Sequence, residues 1–149
     1  MKEIVISKAD AVFWMDGNGR WHNQNGEFEH KKVIDYFNRS IGHDAGGYFV
    51  SQNRGDVIEK VYFHYQETAI FVVDILLEDD IILLLNTGDH VTLDPEKLVI
   101  QNDCLFMHLE DRRLKFTDRS LMKLSRWFDE IDGQFSIQLR GKRYAIRMA

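Results

Sequence analysis

Two segments of the chain place bulky aromatic side chains beside ionisable ones. The first is Gly19-Arg20-Trp21-His22, and the second runs from Glu59 to Thr68. Sites for small ligands are commonly lined by aromatic walls, with a few polar groups that fix the orientation of the ligand. We therefore predict a candidate ligand-binding cluster that lines one surface depression. Its members are Trp21, His22, Tyr48, Glu59, Tyr62 and Glu67.

The elements that carry this cluster should be neighbours in space. A hairpin that ends near His22 precedes the first predicted helix, and a strand that carries Glu59 and Tyr62 follows it. Short connections usually keep sequential elements adjacent. Beside a carboxylate, His22 would provide an acid–base group or a pH-sensitive contact. Core packing is the competing interpretation, because aromatic residues that alternate along strands commonly face a core.

Motifs with a local catalytic signature do not occur in the sequence. There is no Gly-x-Ser-x-Gly, no phosphate-binding Gly-rich loop and no dinucleotide fingerprint. The six histidines lack the spacing of metal ligands on a helix. Asp16-Gly17-Asn18-Gly19 lacks the frame and the terminal Glu of a calcium loop, so it is predicted to be a hairpin turn. We therefore predict no catalytic residue, no metal and no cofactor, and the alternative is an enzyme with a site built from scattered residues.

Composition favours one globular domain over residues 1–149. Hydrophobic residues make up 44% of the 149, and the ten phenylalanines indicate a substantial core. With Cys104 as the single cysteine, no intramolecular disulfide can form, which is typical of a reducing compartment. The N-terminus has no long apolar stretch, and the apolar run Ala69–Leu77 is interrupted by Asp74 and is far shorter than the ~20 residues of a membrane span. These features predict a cytoplasmic protein without a membrane segment.

Charge is unevenly distributed along the chain. Residues 1–110 carry nine Lys and Arg against 19 Asp and Glu, whereas residues 111–149 carry ten against five. The basic segment would suit an anionic partner, but we favour its pairing with the acidic segment within the molecule or across a homodimer. A pI of about 5.6 argues against nucleic-acid binding.

Hydrophobic periodicity predicts two helices in a chain of strands. The first runs from His30 to Ile41 and the second from Asp118 to Ile131, with Thr117 or Asp118 as cap and Gly133 as terminator. Leu121, Leu124, Phe128 and Ile131 form the apolar face of the second helix.

The centre of the sequence is predicted to form buried strands. Val57–Phe63 should pair with Thr68–Leu77 through a turn at His64–Glu67. Ala69–Leu77 and Ile81–Leu85 are continuously apolar, which predicts adjacent interior strands covered on both faces and joined by an exposed acidic turn. Within them, Asp74 must belong to a site or be hydrogen-bonded by the backbone.

A supersecondary pattern is repeated along the chain. Repeat unit one covers about residues 11–63, the central strands about 68–109, and repeat unit two about 113–148. In this alignment, Phe37 corresponds to Phe128 and Tyr48 to Phe135. A strand–helix–hairpin unit cannot bury its apolar face alone, so two copies should share a core. The predicted fold class is α+β, a mainly antiparallel sheet with two helices, built from a duplicated strand–helix–β-hairpin unit.

Short motifs in residues 11–77 resemble the uncharacterised bacterial domain of unknown function 1285 family. They are Gly19, Trp21 and His22; Gly46 or Gly47 with Tyr48; Glu59-Lys60-Val61; and Glu67-Thr68-Ala69-Ile70-Phe71. The last motif departs from the family pattern, since Thr68 replaces an acidic residue and Ile70 a proline. The resemblance implies a fold with repeated strand–helix motifs and a role in ligand binding or signalling, and it supplies no established catalytic residue.

These observations predict a non-catalytic ligand-binding or signalling module of the bacterial cytoplasm. Its partner would be a small molecule or a protein. The alternatives are an enzyme that uses scattered residues such as His22, Glu59 and Glu67, or a structural protein that assembles through a sheet edge or its charge-divided surface.

Overall fold

In the computed structural model, which describes residues 2–149, the chain divides into two compact units. The first contains the described residues up to Ala69 together with Asn86–Gly88, and the second contains Ile70–Leu85 and Asp89–Ala149. Each unit is compact by itself. That residues 1–149 form one domain stays a prediction. Most of the chain is β-strand, the pairing is mainly antiparallel, and the two helices are short. The predicted α+β class is therefore confirmed.

The first unit combines a four-stranded sheet, a small three-stranded sheet and one helix. Its elements are β1 (Lys2–Ile6), a short 3-10 helix (Lys8–Asp10), β2 (Phe13–Met15), β3 (Trp21–Asn23), β4 (Gly26–Glu27), α1 (Lys31–Arg39), β5 (Ile41–Asp44), β6 (Gly47–Arg54) and β7 (Val57–Tyr62). The larger sheet has the order β1-β7-β6-β5, and the small sheet has the order β2-β3-β4. The hairpin turn predicted at 16–19 is present, and a second hairpin turn at 54–56 joins β6 to β7.

The second unit contains a seven-stranded sheet, a three-stranded meander and one helix. Its elements are β8 (Phe71–Leu77), β9 (Ile81–Leu85), β10 (His90–Thr92), a 3-10 helix (Pro95–Lys97), β11 (Leu98–Gln101), β12 (Cys104–His108), β13 (Arg113–Phe116), α2 (Asp118–Leu124), a 3-10 turn (Ser125–Trp127), β14 (Phe128–Ile131), β15 (Gln134–Leu139), β16 (Lys142–Ala145) and β17 (Arg147–Met148). The sheet orders are β10-β9-β8-β13-β12-β11-β17 and β14-β15-β16.

Two strand pairs were predicted for the centre of the sequence, and one of them forms while the other does not. Strands β8 and β9 are adjacent and antiparallel. The predicted hairpin between Val57–Phe63 and Thr68–Leu77 does not form, because β7 lies between β6 and β1 while β8 lies between β9 and β13. Instead, β7 pairs in parallel with β1, and β8 pairs in parallel with β13. A hairpin signal in the sequence cannot indicate such parallel pairs. Burial on both faces is also incomplete, since Leu76 and Leu77 are exposed.

Asp74 is held by hydrogen bonds, as one of its two predicted environments requires. Its carboxylate accepts from the ammonium of Lys123 at 2.6 Å and from the backbone N–H of Ile75 at 2.9 Å. Arg119 lies 3.5 Å away. Led by the hydrogen bond from Lys123, these contacts lower the pKa of Asp74 below its ordinary value. They also attach α2 to β8.

The second helix is much shorter than predicted. Thr117 caps it by accepting from the N–H of Ser120, but the helix ends at Leu124. Phe128–Ile131 is instead a strand paired with Gln134–Leu139. The reason is the turn at Asp132-Gly133, where both residues have positive φ (52° and 80°), the geometry of a tight β-hairpin turn. The sequence pattern predicted that Gly133 terminates the helix, whereas in the structure Gly133 lies in the turn of a β-hairpin.

The predicted equivalence of Phe37 and Phe128 is therefore wrong, because Phe37 lies in α1 and Phe128 begins β14. A different correspondence exists: α1 and α2 each precede a three-stranded antiparallel meander. Tyr48 and Phe135 are each the second residue of the middle strand. That the two repeat units, about residues 11–63 and 113–148, superpose on one another stays a prediction.

Candidate functional site

Alternation along the small sheet sends its aromatic residues to opposite faces. In β2, Phe13 and Met15 are buried while Trp14 between them is 42% exposed. Trp14 pairs with His22 across the first hairpin, and His22 pairs with Glu27 across the second. Since successive side chains of a strand point to opposite faces, Trp14, His22 and Glu27 share the outer face.

Trp21 belongs to the inner face and is a core residue. It is 1% exposed, and its indole N–H donates to the side-chain oxygen of Asn38 at 2.7 Å. Its ring packs against three phenylalanine rings at centroid distances of 4.8–5.8 Å. They are those of Phe13, Phe37 and Phe63. Of the two interpretations given for Trp21, core packing is the one that agrees with the structure.

The outer face carries a compact set of aromatic and charged groups, which we call the small-sheet face. It consists of Trp14, Asp16, Arg20, His22 and Glu27. The rings of Trp14 and His22 are nearly parallel, with an interplanar angle of 7° and centroids 5.9 Å apart. The imidazole Nε2 of His22 lies 2.7 Å from a carboxylate oxygen of Asp16. The guanidinium of Arg20 lies 3.9 Å from the carboxylate of Glu27, and these two residues complete the set.

Asp16 has a structural role as well as its contact with His22. One of its carboxylate oxygens accepts from the backbone N–H groups of Asn18 and Arg20, which closes the hairpin turn. Partial burial raises the pKa of Asp16, but the hydrogen bonds from His22, Arg20 and Asn18 outweigh it, so the pKa is lowered. The carboxylate is therefore ionised near neutral pH and holds the imidazole in a fixed orientation.

Tyr62 belongs to a different surface, on the four-stranded sheet. Its hydroxyl lies 2.8 and 2.9 Å from the two carboxylate oxygens of Asp44, and the ammonium of Lys60 lies 2.5 Å from one of them. Lys60 also lies over the ring of Phe49, 4.4 Å from its centroid. We call Asp44, Phe49, Lys60 and Tyr62 the Lys60 cluster.

Two glycines allow the aromatic rings of this cluster to lie against the neighbouring strand. A side-chain carbon at Gly42 would lie 2.5 Å from the ring of Phe49, and one at Gly46 would lie 2.9 Å from the ring of Tyr62. Both distances are too short for a non-bonded contact. These glycines are therefore needed for close approach, and the Lys60 cluster is built by the β5–β6–β7 meander itself.

The Lys60 cluster should make stability depend on acidic pH. The hydrogen bonds from Lys60 and then Tyr62 lower the pKa of Asp44 from its ordinary 3.8 to about 2. Because the folded-state pKa is the lower one, ionised Asp44 stabilises the fold above pH 3.8, and this contribution is lost as the pH falls through about 2. We expect the difference in free energy of unfolding between wild type and Asp44→Asn to be largest near pH 6 and to shrink towards pH 2. A difference that stays constant over this range would contradict the assignment.

Tyr48 and Glu59 lie on the face of this sheet opposite Tyr62. The paired residues Phe49 and Tyr62 share one face, so Tyr48 and Glu59, one and three positions away, point the other way. Tyr48 is 4% exposed, and its hydroxyl lies 3.1 Å from that of Thr68. The carboxylate of Glu59 is 3.8 Å from Arg54. Glu67 is half-buried in the segment that follows β7.

The six candidate residues thus do not line one common surface. Trp21 and Tyr48 are buried, Tyr62 and Glu59 are on opposite faces of a sheet, and His22 lies on the small-sheet face. Whether any of the six binds a ligand stays a prediction.

Sequence reasoning missed two important neighbours of His22, namely Trp14 and Asp16. The predicted hairpin at 16–19 contained the signal that could have found them. Its register places Trp14 directly opposite His22, so a His22 on the outer face places Trp14 on that face as well.

Residues 2–149 contain neither a cluster of metal ligands nor a helix that could cross a membrane. No group of three His, Cys, Asp or Glu side chains in this range is arranged so that it could hold a metal ion. Within the same range, neither helix has the length and apolar character needed to cross a membrane.

Comparison with known proteins shows the fold. The chain is similar to the crystal structure of a DUF1285 family protein from Silicibacter pomeroyi DSS-3, with a TM-score of 0.66 and 12% identity over 98% of this chain and 84% of that one. A second similar structure, of a DUF1285 family protein from Shewanella baltica OS155, gives a TM-score of 0.51 and 14% identity over 72% of this chain and 84% of that one. No protein-family model and no curated protein matches the sequence. The resemblance that the motifs indicated is therefore confirmed as a likeness of fold.

Proposed function

We propose that the protein is a non-catalytic ligand-binding or signalling module of the bacterial cytoplasm, and that it recognises a small molecule or a partner protein through the small-sheet face. The observation that carries this proposal is the exposed indole of Trp14, stacked on His22 on a face that also carries Asp16, Arg20 and Glu27. Tryptophan and arginine are enriched among the residues that dominate binding energy.

The geometry of the face supports binding because three of its side chains are fixed before a ligand arrives. Trp14 is held against His22, and His22 is held by Asp16, which in turn is fixed by two backbone hydrogen bonds. Little side-chain entropy is then lost on association. A single cysteine, which excludes an intramolecular disulfide, supports the cytoplasmic location.

An enzyme is the second candidate because of the contact between His22 and Asp16. A carboxylate that orients an imidazole is a common arrangement in acid–base catalysis. Asp16, however, also closes the hairpin turn, and this structural role accounts for its position without catalysis. The binding module is therefore the proposal that we favour.

A thermal-shift screen with metabolites, nucleotides and metal ions tests the proposal. A ligand of this face should raise the melting temperature of the wild type, and Trp14→Ala and His22→Ala should each weaken its binding about ten-fold or more. Tyr36→Ala is the matched control, because Tyr36 is a similarly exposed aromatic residue on α1, outside the face. Undiminished binding by Trp14→Ala would refute the proposed site. Turnover of the ligand, lost in His22→Gln, would favour the enzyme.

A further inference from the structure

The second compact unit contains a depression that belongs to neither the small-sheet face nor the Lys60 cluster. Its volume is about 270 Å³, just below the ~300 Å³ at which the usual range of pockets for small ligands begins. The 3-10 turn after α2 and the first two strands of the meander form it, together with the turn that follows β15. Its lining residues are Arg126, Trp127, Phe128, Asp129, Gln138 and Gly141.

The depression contains a cation without a counter-charge. The guanidinium of Arg126 lies over the indole ring of Trp127, 5.3 Å from the ring centroid. It makes no ion pair or hydrogen bond with any residue in the range 2–149. Stacking on an aromatic face orients a guanidinium while leaving its N–H donors at the edge available.

The acidic residue of the depression is already neutralised. Asp129, on β14, accepts a hydrogen bond at 3.1 Å from Arg143 on β16. Its pairing leaves Arg126 as the uncompensated charge among the lining residues. An anion is therefore favoured over a cation.

The remaining walls define the shape of that anion. Trp127 supplies aromatic surface, and the side-chain amide of Gln138 forms no hydrogen bond with the described residues, so it can donate or accept. A guanidinium fork matches the planar geometry of a carboxylate, with two parallel N–H···O bonds. We infer that this depression binds a small aromatic carboxylate, which pairs with Arg126 through its carboxylate and packs its ring against Trp127.

Benzoate is the probe that tests this inference, with benzamide as its uncharged counterpart. The indole N–H signal of Trp127 in a ¹H–¹⁵N spectrum reports binding at the depression directly. Benzoate should shift this signal, and benzamide should bind at least about ten-fold more weakly, because it lacks the charge that pairs with Arg126. Equal binding of the two probes, or no shift with benzoate, would overturn the inference.

Two arginine variants separate a specific contact from general electrostatics. Arg126→Gln should reduce the affinity for benzoate about ten-fold. Arg112→Gln removes the same charge from an exposed loop outside the depression and should leave the affinity within about two-fold. Equal losses in the two variants would contradict a site at Arg126. The outcome does not bear on the small-sheet face, because that face lies in the other compact unit.

Discussion

Trp21→Ala is expected to lower the free energy of unfolding by about 3–5 kcal/mol, as large-to-small substitutions of buried aromatic residues do. Trp21 is 1% exposed and contacts three phenylalanine rings, so its removal leaves a cavity that the surrounding core can fill only in part. The substitution also leaves the side-chain oxygen of Asn38 without the indole donor. Urea unfolding followed by circular dichroism measures this loss.

Trp14→Ala is the matched control for this prediction. Trp14 lies on the neighbouring strand, with its ring on the outer face and 42% exposed. Its removal loses only the burial of the covered part of the ring, so the free energy of unfolding should fall by about 1–2 kcal/mol. Equal losses in the two variants, or a larger loss for Trp14→Ala, would contradict the assignment of inner and outer faces.

Leu114→Ala is expected to have the second large effect, a loss of about 2–5 kcal/mol. Leu114 is fully buried in β13, the central strand of the seven-stranded sheet. β13 pairs in parallel with β8 and antiparallel with β12, so both of its edges are occupied. A cavity at this position weakens packing in the middle of the sheet.

Leu77→Ala provides the same chemical change at an exposed position of that sheet. Leu77 is 52% exposed at the end of β8, and its replacement should cost about 1 kcal/mol or less. If the two leucine variants lost equal stability, β13 would not occupy the centre of the sheet. The same urea titration compares them.

Local signals in the sequence predicted much of the fold. The glycines at 17 and 19 indicated the first hairpin, and periodicity indicated α1 and the start of α2. Where two local signals competed, the prediction was wrong. Phe128 and Ile131 fit a helical period, but Asp132-Gly133 closes a hairpin, and pairing with β15 determines the outcome. The parallel pairs formed by β1 and β13 join residues far apart in the chain, so no local pattern specifies them.

The candidate site was harder to predict because burial depends on distant residues. Alternation shows that Trp21 and His22 point to opposite faces, but it does not show which face is covered. Phe37 in α1 and Phe63 after β7 cover the face that contains Trp21. The sequence therefore identified the correct hairpin and assigned the wrong tryptophan to its surface.

The indole region of a ¹H–¹⁵N spectrum, recorded while the best ligand from the screen is added, tests the proposed recognition surface most directly. The chain contains three tryptophans, and they lie in three environments: Trp14 on the small-sheet face, Trp21 in the core and Trp127 in the depression. We predict that the signal of Trp14 shifts in proportion to saturation while that of Trp21 stays in place. A ligand that shifts the signal of Trp21 and leaves that of Trp14 unchanged would contradict recognition by the small-sheet face.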